Sequence, residues 1–298
     1  MKTAGIFPGQ GSEYPGMLEC ISEYELTKYV FGRINEISGK DIFRVTVEGP
    51  ESRLREPLIA QLSVFGTSVC YWHLLNNQMD FNGLAGHSLG FYSALYAAGS
   101  IPLDDCIRII IKVHEAIDSL MKDRSGLMAS ITGLKTEEVK NICNDTAEVF
   151  FSNINSASQI VISGSASGVK KACERALQAG ALSVKELPIP YPLHSPMMDG
   201  IENILRPFIN RIEIKKPSIP VISHLDNTVL DQKGISDVLC GQLSKKIMWR
   251  DTIKCFASSG INRFVEIGPS DVLSKLVRWI ERDAESLRAE EVLDCLSV

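Results

Sequence analysis

The five residues Gly86-His87-Ser88-Leu89-Gly90 constrain this chain more than any other stretch. They follow a mostly apolar run at 81–85 and precede a helix-forming stretch at 89–98. A strand that turns sharply into a helix forces its corner residue into a strained backbone, and only neighbours as small as Gly86 and Gly90 leave room. The corner serine is then held above a sheet edge at a helix N-terminus, where free N–H groups can stabilise a developing oxyanion. The spacing therefore predicts Ser88 as a nucleophile. A five-position pattern of this kind also arises by chance, so the strand-turn-helix context carries the reading.

The 298 residues suffice for one large core, or for a main domain with a smaller inserted one. A net charge of −5 with no basic run argues against nucleic acid or a membrane surface as partner. The eight cysteines are scattered without a Cys-x-x-Cys pair, and most sit in apolar helical patterns. Reduced, buried thiols in a cytoplasmic protein are expected. The apolar stretch near the N-terminus stops at Pro8, too soon for a signal segment, and no stretch reads as long enough to span a bilayer.

In chain order, 3–7 reads as a short buried strand ending in Pro8-Gly9-Gln10-Gly11-Ser12. That loop lacks the Gly-Lys-Ser/Thr ending of a phosphate cradle. It falls at the carboxyl edge of a parallel sheet, the same edge as the serine corner, so Gln10 is either a turn residue or within reach of Ser88. Residues 18–37 and 60–78 carry helical apolar spacing. Another helix opens at 101–103, with Asp104 and Asp105 in its first turn, and its isoleucine-rich first half is expected to lie against the sheet.

From 125 the pattern changes. Strands at 126–131, 149–154, 159–163 and 183–187 alternate with helices at 136–144 and 168–180. The order β-α-β-β-α-β is that of a ferredoxin-like unit. The expected fold class is therefore α/β: a core with a parallel sheet, 1–124 and 188–298, and an inserted ferredoxin-like α+β subdomain, 125–187. The core resumes with helices at 197–212, 237–243, 252–259 and 271–280 and strands at 219–223 and 263–267. The charged tail 281–291 reads as weakly constrained.

A serine hydroxyl needs a base within hydrogen-bond reach. His73 and His114 fall in helices, and the corner that exposes Ser88 aims His87 elsewhere. His194 stands in a proline-fixed loop before a helix, the better setting for a base, with His224 as the alternative.

Several motifs in order resemble one family along nearly the whole chain. They are Phe7-Pro8-Gly9-Gln10-Gly11-Ser12, Gly86-His87-Ser88-Leu89-Gly90 with Tyr92-Ser93-Ala94-Leu95, and Asn155-Ser156 with Gln159-Ile160-Val161-Ile162-Ser163-Gly164. His194-Ser195 and Glu266-Ile267-Gly268-Pro269 complete the set. The chain resembles the malonyl-CoA:acyl-carrier-protein transacylase family, shared with polyketide synthase acyltransferase domains. The resemblance implies an α/β-hydrolase-like core and a ping-pong reaction in which Ser88 takes an acyl group and His194 is its base. It further implies an oxyanion hole from the N–H groups of Leu89 and Gln10. The carbonyl of Gln242 would orient the histidine in place of a triad acid.

The chain departs from the family where malonyl-using members carry an arginine that pairs with the substrate carboxylate. The alignment puts Val113 there, while Arg108 lies more than one turn away and Lys112 and His114 point about 100° to either side. An unpaired buried carboxylate costs several kcal/mol, so malonyl is an expected poor substrate. Phe91 replaces the acidic residue that usually follows the serine motif, and Leu193 precedes the histidine. Both are expected to make the substrate pocket more apolar, and Asn155 is expected to bind substrate there.

The reading is an acyltransferase that moves an uncharged acyl group from coenzyme A or a carrier protein to an acyl carrier protein, in polyketide or fatty-acid-like biosynthesis. No permanently bound cofactor and no metal is expected; acyl-CoA and phosphopantetheine thioesters are the substrates. A carrier-protein thioester hydrolase, a malonyl transacylase with another carboxylate-binding group and a non-catalytic scaffold stand as alternatives. The intact Ser88, His194 and Gln10 argue against the scaffold.

Overall fold

The computed structural model of the protein describes residues 1–122 and 124–296. Two four-stranded sheets position the site. The first is parallel: β1 (Thr3–Phe7) lies between β2 (Gly83–Gly86) and β7 (Arg263–Glu266), with β8 (Glu285–Arg288) outside β7. All five β1 residues are buried, as a central parallel strand covered on both faces must be. The second sheet is antiparallel and holds β3 (Gly126–Thr132), β4 (Val149–Ile154), β5 (Gln159–Ser165) and β6 (Ser183–Glu186) in the order β4-β5-β3-β6. Helices α7 (Thr136–Asn144) and α8 (Ala166–Gln178) pack on one face of it. The alternating sequence pattern had indicated this β-α-β-β-α-β order, and the strand order is that of a ferredoxin-like unit.

Around the first sheet lie α1 (Glu25–Ser38), the short α2 (Ile42–Glu48) and α3 (Glu51–Leu54), α4 (Pro57–Asn76), α5 (Gly90–Ala97) and α6 (Leu103–Met121). After the second sheet come α9 (Ile201–Ile209), α10 (Gln232–Gly241), α11 (Trp249–Ser258), α12 (Val272–Ile280) and α13 (Ala289–Leu296). Helix α4 corrects one expectation. At 20 residues it is long and apolar enough to cross a membrane, yet most of it is buried inside the protein. It is apolar all round because α1, α2, α5 and α6 enclose it.

Four further expectations change. Helix α6 packs mainly against α1, α4, α5 and α9 and not on the first sheet, so its apolar face serves a helical layer. Residues 219–223 form isolated bridges, Val221 to Leu84 and Ile222 to Val229, because Pro220 has no N–H to continue a ladder. The tail is structured: β7, α12 and β8 form a βαβ unit in which Arg263 donates to Glu285, and Tyr71 of α4 donates to Glu290 at 2.9 Å. The helix expected over 197–212 is split by Gly200, whose φ of 95° places it in the left-handed region, into a 3-10 turn and α9.

All eight cysteines are free thiols, five of them buried.

Candidate active site

Ser88 stands where β2 ends and α5 begins, with φ of 53°, a left-handed conformation that a serine adopts only under constraint. The constraint is close packing of the turn. A Cβ on Gly90 would lie 2.0 Å from the Phe7 carbonyl oxygen, and one on Gly86 would lie 2.0 Å from the Gly90 carbonyl carbon. The His87 N–H donates to the Phe7 carbonyl at 2.9 Å, tying the turn to β1.

The Ser88 Oγ lies 2.7 Å from Nε2 of His194. His194 is 2 % exposed and also left-handed, with φ of 59°, and its N–H donates to the Leu243 carbonyl. Its Nδ1 lies 2.9 Å from the Gln242 carbonyl and 3.2 Å from that of Lys245. Carbonyls only accept, so Nδ1 carries the proton, and Nε2 offers its lone pair to the serine hydroxyl. Burial drives the His194 pKa down to about 4, against the opposing pull of the two carbonyls. The ring is therefore neutral at physiological pH and can take the serine proton.

The Gln242 side chain donates from Nε2 to the Tyr92 hydroxyl at 3.1 Å, fixing the 3-10 turn Gln242–Ser244 against α5. On the other side of the serine, Gln10 and Leu89 border the same cavity. The Gln10 amide oxygen accepts from Gln61 of α4 at 3.2 Å. Gln61 escaped the sequence reading, in which Tyr92 figures only as part of a family motif; a buried glutamine inside an otherwise apolar helix was the available signal for the first.

The cavity measures about 370 Å³ and runs from this edge to the inner face of the second sheet. Val113, Leu193 and Asn155 line it. The Asn155 amide oxygen accepts from His87 Nε2 at 3.1 Å, and its amide nitrogen donates to Gln159. Phe91 does not line it. That ring is fully buried, edge-to-face with His224 at 5.3 Å, so it leaves the polarity of the cavity unchanged, contrary to expectation. His224, the alternative base, is buried in that same core, and the serine's partner is His194.

Arg108 donates to Asp105 at 2.9 Å, Lys112 to Glu115 at 3.1 Å, and His114 lies 3.4 Å from Asp118; none of the three lines the cavity. Among the described lining residues, Lys185 is the one lysine or arginine.

A serine and a neutral histidine meeting at the carboxyl edge of a parallel sheet define a serine-nucleophile enzyme of the α/β class. The acyl transferase domain model matches residues 6–295, and the chain belongs to that family. It is 32% identical over 299 residues to the malonyl CoA-acyl carrier protein transacylase of Bacillus subtilis, covering 97% of this chain and 94% of that one. It is also 32% identical over 282 residues to the polyketide biosynthesis protein ThaF of Burkholderia thailandensis, covering 93% of this chain and 24% of that much longer one. Among solved structures, an acyl-carrier-protein S-malonyltransferase from Burkholderia pseudomallei superposes with a TM-score of 0.93 at 28% identity, over all of both chains. A malonyl-transacylase in complex with a type II polyketide synthase acyl-carrier protein superposes with a TM-score of 0.91 at 28% identity, covering 97% of this chain and 94% of that one.

Proposed function

We propose that the chain transfers a non-dicarboxylic acyl group, from coenzyme A or one carrier protein to an acyl carrier protein, through an ester on Ser88. The Ser88–His194 contact of 2.7 Å is the observation that carries the reaction type. His194 Nε2 takes the hydroxyl proton as Oγ attacks the thioester carbonyl, and the N–H groups of Leu89 and Gln10 receive the oxyanion. The C–S bond breaks, and the departing thiolate takes the proton from His194. A carrier-protein phosphopantetheine thiol then gives its proton to His194 and attacks the ester, and Ser88 is regenerated. The Gln242 carbonyl holds the imidazole in the required tautomer, the part a carboxylate plays elsewhere. In this reading residues 125–187 are an inserted subdomain that forms one wall of the substrate cleft, and the enzyme works in the cytoplasm.

The acyl class rests on Val113, which lines the cavity and which the resemblance aligns with the family's carboxylate-binding arginine. Arg108, Lys112 and His114 are engaged by acidic neighbours outside the cavity. A dicarboxylic acyl group entering that end loses its water and gains no bidentate partner.

The test is the mass added to Ser88 by a panel of acyl thioesters. Ser88→Ala should give no adduct, and His194→Ala should slow its formation by orders of magnitude. Val113→Arg should shift the preference toward malonyl about tenfold or more, since a charged hydrogen bond contributes roughly 1.5–3 kcal/mol. A wild-type protein that is acylated fastest by malonyl would overturn the acyl class. Rapid release of free acid, without transfer to carrier protein, would turn the reading to a thioester hydrolase.

A further inference from the structure

The wall that the second sheet presents to the cavity changes character along its length. Side chains alternate across a strand, so Met128, Ser130 and Thr132 of β3 share one face, and all three line the cavity. The register sets Thr132 beside Ser183 and Gln159, and Ser130 beside Lys185 and Val161. At the far end the Leu187 N–H donates to the Met128 carbonyl at 2.9 Å, and these two apolar side chains line the cavity in the last row, whereas Ser163 on the other side of Met128 is not part of the lining. The wall thus runs from a polar row at Thr132, through a mixed row that holds Lys185 and Val161, to an apolar lining at Met128 and Leu187.

Helix α6 completes the apolar end. Ile110, Val113 and Ile117 recur at the spacing of one helix face, and all three line the cavity while buried to 5 % exposure or less. Ile189 and Leu193, both buried, border it as well. A two-carbon acyl group on Ser88 would leave much of this surface without a partner, whereas a longer chain would cover it. We infer that the apolar end is an acyl-chain chamber that selects by length, favouring straight saturated groups of four or more carbons over acetyl, with Met128 at its floor. The inference rests on the non-dicarboxylic reading and adds chain length to it. Each methylene moved from water into such a chamber should raise kcat/KM roughly threefold to fourfold until the chamber is full.

The experiment measures thiol release from acetyl-, butyryl-, hexanoyl-, octanoyl- and malonyl-pantetheine, which reports acylation whatever becomes of the ester afterwards. Butyryl and hexanoyl should exceed acetyl, with malonyl slowest. Met128→Trp should lower the hexanoyl-to-acetyl ratio at least tenfold, and Met128→Ala should raise the octanoyl-to-hexanoyl ratio. Ratios within one protein are insensitive to how much of a variant folds, and the alanine variant serves if the tryptophan one does not fold. Acetyl fastest with malonyl slow would overturn the chamber and leave the non-dicarboxylic reading standing; malonyl fastest would overturn that reading itself. Ratios unmoved in both variants would remove Met128 from the floor and overturn the inference.

Discussion

Ser88 and His194 were both legible as residues, because each stands in a local pattern with a mechanical reason: a glycine-flanked corner and a proline-fixed loop. What orients them was less so. The Tyr92–Gln242 contact joins positions 150 apart in the chain, and no local pattern announces it. The value of about 4 for His194 has two consequences. The base must be neutral to act, so acylation should stay level from neutral pH down to about 5 and fall to half near 4, measured as initial burst rate against pH. The native state also refuses a proton that the unfolded chain takes up below about 6.5. This histidine's contribution to stability is therefore complete above 6.5 and is lost as pH falls toward 4; buried His224 acts in the same sense. Asn155 reads differently in the structure than in the sequence. Its amide is engaged by His87 and Gln159, which makes it a brace between the serine corner and the second sheet as well as a cavity wall.

Among the elements, the serine corner and the β-α-β-β-α-β unit were readable because period and turn chemistry agree there. The strand β8 was not. Its sequence Glu-Ser-Leu-Arg looks like a solvated tail, yet at a sheet edge its charges find partners, Glu285 with Arg263 and Arg288 with Glu290. The corner's tolerance is narrow. Gly90→Ala should abolish acylation and lower the melting temperature, since the new methyl would sit against the β1 carbonyl. At the end of β7, Glu266 is fully buried and accepts from the Ser274 N–H in the first turn of α12 at 2.7 Å. Burial outweighs that bond and raises its pKa to about 7. The native state then holds a proton that the unfolded chain has released above about 4.5. The contribution is complete below 4.5 and lost as pH rises through 7. Glu266→Gln should flatten this slope, giving a smaller drop in melting temperature between pH 6 and pH 8 than the wild type; an equal drop would place the titration elsewhere.

At the scale of the whole molecule, three lysines stand near the site despite the net charge of −5. Lys245 and Lys246 are exposed beside the 3-10 turn that holds His194, and Lys185 lies on the cavity wall. Replacing Lys245 and Lys246 with glutamate should raise the KM for an acidic carrier protein several-fold and leave acylation by small pantetheine thioesters nearly unchanged, read by parallel steady-state assays. Arg175 and Arg250 are engaged within the protein instead. The first donates to the Asp145 carbonyl and the second is paired with Asp251. The carbonyls of Gln242 and Lys245 that grip the histidine leave a different mark. Every amino acid carries that group, so the Gln242 side chain bears on the histidine only through the Tyr92 bond that seats the turn. Gln242→Ala should cost less than tenfold in acylation rate, while deleting one residue from the Gln242–Ser244 turn should silence the enzyme. The group that faces His194 Nδ1 is thus a length of backbone and not a side chain.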